Sequence, residues 1–247
     1  MKIGAQFYTI RESCKTLEGL SESLKKVADI GYTTVQISGT CPFEAGWLKQ
    51  ELDKNSLSCV ITHTPKTQLV DTVKVCNDHK IFGCNNVGLG YYKFKEGDLA
   101  QIYREFMDTY APIAQTVNEQ GLYFMYHNHD MEFQKIDGKL ILRKLYEDVQ
   151  DMGFTLDTYW IHKGGCDPAS MIREFAGRIP CIHLKDYSYG ASMEVVGEGN
   201  LGWDGIFAAA ADSGVEYMLV EQDNCNGEDP FECLKRSYQF LKSNGFD

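Results

Sequence analysis

"LYFMYHNHDMEF", residues 122–133, begins as an apolar stretch of strand character and ends in two histidines, an asparagine and two carboxylates. A core does not take such a cluster without partners, and a plain surface turn has no need of two histidines. The change implies a buried strand whose end opens on a functional cleft. It recurs along the chain. "LSCVITH" (57–63) ends in His63, and "GFTLDT" (153–158) carries Asp157. "IPCIHLKD" (179–186) carries His183, Lys185 and Asp186, and "EYMLVEQD" (216–223) ends in Glu221, Gln222 and Asp223.

Working outward, short apolar or β-branched runs alternate with stretches at helical spacing. "KIGAQFY" (2–8) reads as a strand. Leu17, Leu20, Leu24, Val27 and Ile30 then form a helical stripe that Gly31 ends. Strands over 32–38, 57–63 and 85–90 follow. A helix over 44–56, another from Gln68 to His79 and a long one over 96–121 separate and follow them. After the fifth strand (122–127), Asp137-Gly138 predicts a hairpin, and residues 142–150 a helix. Asp167-Pro168 caps the helix after the sixth strand. Helices over 203–214 and 229–245 follow the seventh and eighth strands.

Eight strands, each followed by a helix, in 247 residues predict a single-domain α/β protein, a (β/α)8 barrel over residues 1–247. An open doubly wound sheet would want a glycine-rich phosphate loop after an early strand. The turn after the first strand, "YTIRES" (8–13), has none. In such a barrel the active site lies at the C-terminal strand ends, where the ionisable residues fall.

Lys and Arg total 24 against 35 Asp and Glu, a formal net charge of -11. That opposes duplex DNA or an anionic membrane as partner and better fits an acidic site for a metal ion or a neutral sugar. The nine cysteines, from Cys14 to Cys233, contain no CxxC pair and several sit in apolar stretches. They read as free, mostly buried thiols in a reducing compartment. "MKIGAQFYTI" turns polar too soon for a secretory signal, and no apolar run approaches the roughly 20 residues of a membrane span. The expectation is a cytoplasmic protein without nucleic acid or membrane partner, and with self-association left open.

One carboxylate from each of strands five, six and eight and one histidine from strand seven give Glu132, Asp157, His183 and Glu221 as metal ligands. Three oxygens and one imidazole suit Mn²⁺, Mg²⁺ or Co²⁺, with Zn²⁺ a further candidate. A single acid past a strand is most often a turn or cap residue, and a single histidine is as often a hydrogen-bonded core residue. Four at matching strand ends argue for a site. Glu132 is the least constrained, since His127 or His129 could take its place.

The stretches "GAQFYTIRE" (4–12), "YHNHDMEF" (126–133), "LDTYW" (156–160), "GRIPCIHLKD" (177–186), "VGEGNLGWDGIF" (196–207) and "VEQD" (220–223) occur in an order that identifies a resemblance. Over essentially its whole length the chain resembles the xylose-isomerase-like barrel superfamily of sugar isomerases and epimerases. That superfamily also includes sugar dehydratases and endonuclease IV-type repair enzymes. The resemblance implies a divalent metal, Mn²⁺ foremost, held by Glu132, Asp157, His183 and Glu221. It implies proton abstraction beside a carbonyl, through an enediolate, with Glu132 and Glu221 carrying the proton. His127, His129 and Lys185 would shuttle protons or bind hydroxyls, and His63 would face the same mouth. Tyr8 and Trp203 would stack on the sugar, with Trp160 among the substrate-binding residues. Two positions depart from the pattern. Many epimerases place the glutamate directly at the strand-five end, where this chain has His127-Asn128-His129. Many carry a histidine where this chain has Trp160. Dehydration or elimination begins with the same proton removal and is the alternative reaction. An endonuclease would need three metals and more ligands.

Overall fold

In the computed structural model, which describes residues 1–247, eight strands pair in parallel and close on themselves. They are β1 (Lys2–Gln6), β2 (Thr34–Ile37), β3 (Ser58–His63), β4 (Asn86–Leu89), β5 (Tyr123–His127), β6 (Met152–Asp157), β7 (Cys181–Leu184) and β8 (Tyr217–Val220). Closure comes from β1 lying beside β8, with Lys2 opposite Tyr217 and Ala5 opposite Val220. The expected (β/α)8 barrel is the observed one. Its strands are covered on both faces, which is why "TVQI", "MGFTLD" and "CIHL" are buried at every position. Val60, Ile61, Met125, Cys181 and Leu219 pack as a small cluster apart from the main core. That main core is a continuous set of 61 buried residues, including Leu24, Phe106, Phe154 and Ile172. No helix is long and apolar enough to cross a membrane, and all nine cysteines are free.

Local chemistry sets the helix ends. The first long helix, Leu17–Ile30, starts where Thr16 Oγ1 accepts the Gly19 N–H at 3.1 Å. It ends at Gly31, whose φ of 121° is a conformation that favours glycine. The helix expected from Gln68 to His79 is in fact two, Lys66–Leu69 and Thr72–Phe82. The Asp71 side chain accepts the Lys74 N–H and starts a new helix there. "YTIRES" is not an open turn but part of a 3-10 helix, Phe7–Cys14, which the Gln6 side chain caps at the Tyr8 N–H. Asp137-Gly138 does turn a hairpin, between Lys135–Ile136 and Lys139–Leu140.

A second hairpin, unforeseen, pairs Asp186–Ser188 with Ser192–Glu194 just beyond β7. The loop that follows hangs on one buried side chain. The Asp186 carboxylate accepts the backbone N–H groups of Tyr187 (2.8 Å), Gly197 (2.9 Å), Gly199 (3.1 Å) and Leu201 (3.3 Å), and the Trp203 indole N–H (2.8 Å). Losing the carboxylate strips all five donors of this acceptor, and the Leu201 N–H and the Trp203 indole N–H are buried. Asp186→Ala should cost about 3 kcal/mol or more of unfolding free energy. Thermal melts of the variant and the parent, compared at one pH, measure this. A melting temperature unchanged within a degree would show that the loop is held by something else.

Candidate active site at the barrel mouth

Side chains along a strand alternate between faces. Met125, Cys181 and Leu219 share one cluster, so His127, His183 and Glu221, two residues on, face the same side at the C-terminal mouth. Register adds Asp157, which pairs with His183 across β6 and β7. One ligand atom from each of His127, Asp157, His183 and Glu221 lies within 4.8 Å of all the others, and all four residues are buried. His127 Nε2 is 3.3 Å from Asp157 Oδ2. His183 Nδ1 is 3.7 Å from the same oxygen and 2.9 Å from Glu221 Oε2.

Each group is braced from behind. His127 donates from Nδ1 to the Gly90 carbonyl (3.0 Å), so its Nε2 lone pair faces the cluster. His183 donates from Nε2 to Gln36 Oε1 (2.6 Å), leaving Nδ1 inward. Gln6 Nε2 donates to Glu221 Oε1 (2.6 Å). Asp157 Oδ1 accepts the Trp160 N–H (3.0 Å), while Asn128 Oδ1 accepts the Asp157 N–H (3.1 Å). Gly90 is needed where it stands, because a Cβ there would come within 2.7 Å of the His63 ring.

A fifth group belongs to the set. The Lys185 ammonium, fully buried, lies 3.2 Å from Asp157 Oδ2, 3.0 Å from Glu221 Oε2 and 3.1 Å from Asp223 Oδ2. Burial works against its charge, but the Asp157, Glu221 and Asp223 carboxylates outweigh burial and hold it protonated well above the ordinary lysine range. Conversely, burial would raise Asp157 and Glu221, yet Lys185 and the histidines keep both carboxyls well below the usual range. His183 is raised, its burial overcome chiefly by Glu221 and Asp157.

The donor set fits a divalent cation. His183 Nδ1 is buried without a hydrogen-bond partner and faces Glu221 Oε2 across 2.9 Å, a costly state that an ion between them would relieve. Two imidazole nitrogens with two carboxylate oxygens make a softer set than the sequence suggests, better suited to Mn²⁺, Co²⁺ or Zn²⁺ than to Mg²⁺.

Glu132 stands outside this group, contrary to the expectation, and His127 takes the fourth corner. The chain leaves β5 at His127 and turns through a 3-10 helix, Met131–Phe133. There the buried Glu132 carboxylate accepts the Tyr126 hydroxyl and, at 2.8 Å, the His129 N–H. Burial pushes its pKa up to about 7 against those donors. Tyr8, His63, His127, His129, Glu221 and Asp223 all line a cavity of about 410 Å³ at the mouth. Trp160 packs against the His129 ring with centroids 5.0 Å apart. Trp203 is not at the cavity. Its indole binds Asp186 and its ring stacks on Phe207, so it braces the loop after β7. A cavity of about 530 Å³ at the opposite end of the barrel, near Ser58 and Glu216, has no converging set of comparable chemistry. Sequence reasoning missed Gln6, Gln36 and Asn128. The two glutamines were legible in principle, as amides closing otherwise apolar strands.

The sequence profile of the family described as "Xylose isomerase-like TIM barrel" matches residues 24–244. No curated protein matches the chain significantly. Among solved structures, a sugar phosphate isomerase/epimerase from Parabacteroides distasonis superposes with a TM-score of 0.83 at 20% identity, covering 99% of this chain and 94% of that one. An L-ribulose 3-epimerase gives 0.77 at 15% identity, with 98% and 94% covered. The probable 3-DHS dehydratase AsbF of Bacillus anthracis gives 0.73 at 15% identity, with 98% and 99% covered. At these identities the structures speak for the fold, and the profile match settles the family: the chain belongs to the xylose isomerase-like TIM barrel family.

Proposed function

We propose that the protein is an enzyme that removes the proton next to the carbonyl of a keto-sugar, as an isomerase or epimerase does, with a divalent ion at His127, Asp157, His183 and Glu221. The observation that carries this reading is the convergence of those four buried groups beside a buried ammonium, at the end of a cavity of about 410 Å³. A bound divalent ion would polarise the substrate carbonyl. The chain supplies the rest. Glu221, fixed at Oε1 by Gln6 and kept ionised by Lys185, is the proton acceptor. Lys185, held protonated, donates to the oxygen on which charge develops. His129 is pushed down to about 2 by burial and by His127. It is therefore a neutral ring, suited to accept or donate a hydrogen bond at a hydroxyl. Its Nδ1 is buried and unpartnered. Tyr8 and His63 line the same cavity and would contact the sugar, with Trp160 as an apolar wall behind His129.

One observation favours a second reading. Epimerisation through two glutamates needs Glu132 at the ion, and unlike Glu221 it lies outside both the converging group and the cavity lining, bound to Tyr126 and the His129 backbone. Glu221 is then the single glutamate base. One base with an ammonium beside it suits elimination from a keto-sugar derivative, in which Glu221 takes the α-proton and Lys185 assists the leaving group. The net charge of -11 weighs against a nucleic-acid substrate.

Three outcomes are expected. Chelation should abolish turnover and Mn²⁺ restore it, with a rise in melting temperature because the ion binds only the folded site. Calorimetry and elemental analysis without any bound ion would remove the reading. Glu221→Gln should keep the fold yet slow exchange of the substrate α-proton with D₂O by about a hundredfold or more, followed by NMR. Metal content should separate the two strand-five candidates, with His127→Asn losing the ion and Glu132→Gln retaining it. The reverse would restore Glu132 as a ligand. NMR of the products from keto-sugars tells isomerisation from elimination.

A further inference from the structure

Lys185 reaches the same two oxygens that a divalent ion would use. Its Nζ is 3.2 Å from Asp157 Oδ2 and 3.0 Å from Glu221 Oε2. Those two atoms are also the ones that face His127 Nε2 and His183 Nδ1. An ion bound by these oxygens at roughly 2.0–2.2 Å would put two positive centres on shared ligands in a buried site, where their repulsion is poorly screened. Lys185 has a third counter-ion that the converging set does not include. Asp223 offers both oxygens, at 3.2 and 3.1 Å. Asp223 lines the cavity with its side chain 23% exposed, and Arg11 Nη2 holds its backbone carbonyl at 3.0 Å. The Lys185 backbone is pinned, because its N–H donates to Thr158 Oγ1 (3.0 Å) and its carbonyl accepts from the same hydroxyl (2.8 Å). Only the four-carbon stem is left to move.

We propose that Lys185 is a built-in competitor for the metal, and that Asp223 is the seat on which its ammonium rests when the ion enters. The Lys185–Asp223 pair then sets how tightly the site holds metal, and loading the ion draws the ammonium toward the cavity, where it faces substrate oxygens. This rests on the metal reading given above.

The test is a double-mutant cycle on metal-stripped protein, with Mn²⁺ affinity read by calorimetry and no turnover required. Lys185→Met should bind Mn²⁺ about tenfold or more tighter than the parent. Asp223→Asn should bind it more weakly, because the displaced ammonium has lost its seat. In the Lys185→Met background that Asp223→Asn loss should shrink to about twofold or less, since no ammonium remains to be seated. If Asp223 acted only through its own charge, the loss would be equal in both backgrounds, and the proposal would fall. Lys185→Met binding equally or more weakly would also overturn it. Wild-type crystals grown with Mn²⁺ give a readout free of any folding defect. The ammonium should keep its Asp223 contacts and leave Asp157 and Glu221, and an ammonium still on both would refute competition. If none of the four proteins binds Mn²⁺, the metal reading falls and this proposal with it. If binding is present but additive, the metal reading stands and competition alone is lost.

Discussion

One ammonium buried among three carboxylates is the constraint on which the mouth of this barrel depends. Asp157 and Glu221 are both buried, and an ionised carboxylate cannot stay so without a counter-charge. Lys185 supplies it from just past the end of β7, the strand between them. The remaining lone pairs and protons are met from elsewhere around the cylinder. Gln6 ends β1, Gln36 lies near the end of β2 and Gly90 follows β4. His63 ends β3 and faces the same cavity. Every strand end therefore takes part, so the site exists only when the barrel is closed. That ties folding to site assembly more tightly than a site carried on one loop would.

The alternation of strands and helices was legible because barrel strands are apolar on both faces and the helices carry clear stripes and caps. Asp157, His183 and Glu221 were legible for the same reason. A carboxylate or imidazole ending an apolar strand has a direction fixed by the pleat. Glu132 was not, because it lies five residues beyond His127, after the chain has left strand geometry for a 3-10 turn. Parity held the missing signal. His127 stands two residues after Met125, as His183 does after Cys181 and Glu221 after Leu219, and those three residues share a cluster. Trp203 misled for a different reason. Its hydrogen-bond partner, Asp186, is 17 residues away in sequence, and no local pattern announces such a clamp.

Family membership and low-identity neighbours account for the barrel and leave the chemistry to the residues at its mouth. Here those residues differ in kind from a set of three oxygens and one imidazole. A second imidazole softens the site and removes one candidate base from its centre. The mouth also holds three histidine rings in contact, His63 with His127 at 5.1 Å and His127 with His183 at 4.4 Å between centroids. Burial and the neighbouring His127 and His183 keep His63 well below its ordinary value.

Charge balance gives a reason why Glu132 does not stand at the centre. Asp157, Glu221 and Asp223 bring three negative charges to the buried set, and Lys185 one positive charge. A divalent ion would make the set neutral. A fourth carboxylate at the ion would leave it one charge in excess, in a place with little water to screen it. With Glu132 outside the set, its buried carboxyl serves instead as a brace. It ties the Tyr126 hydroxyl to the His129 N–H and so holds the turn that carries Asn128 onto the Asp157 backbone. Glu132 thus holds the loop that aims Asn128 and Asp157, and Lys185 is left as the counter-charge to the carboxylates at the centre.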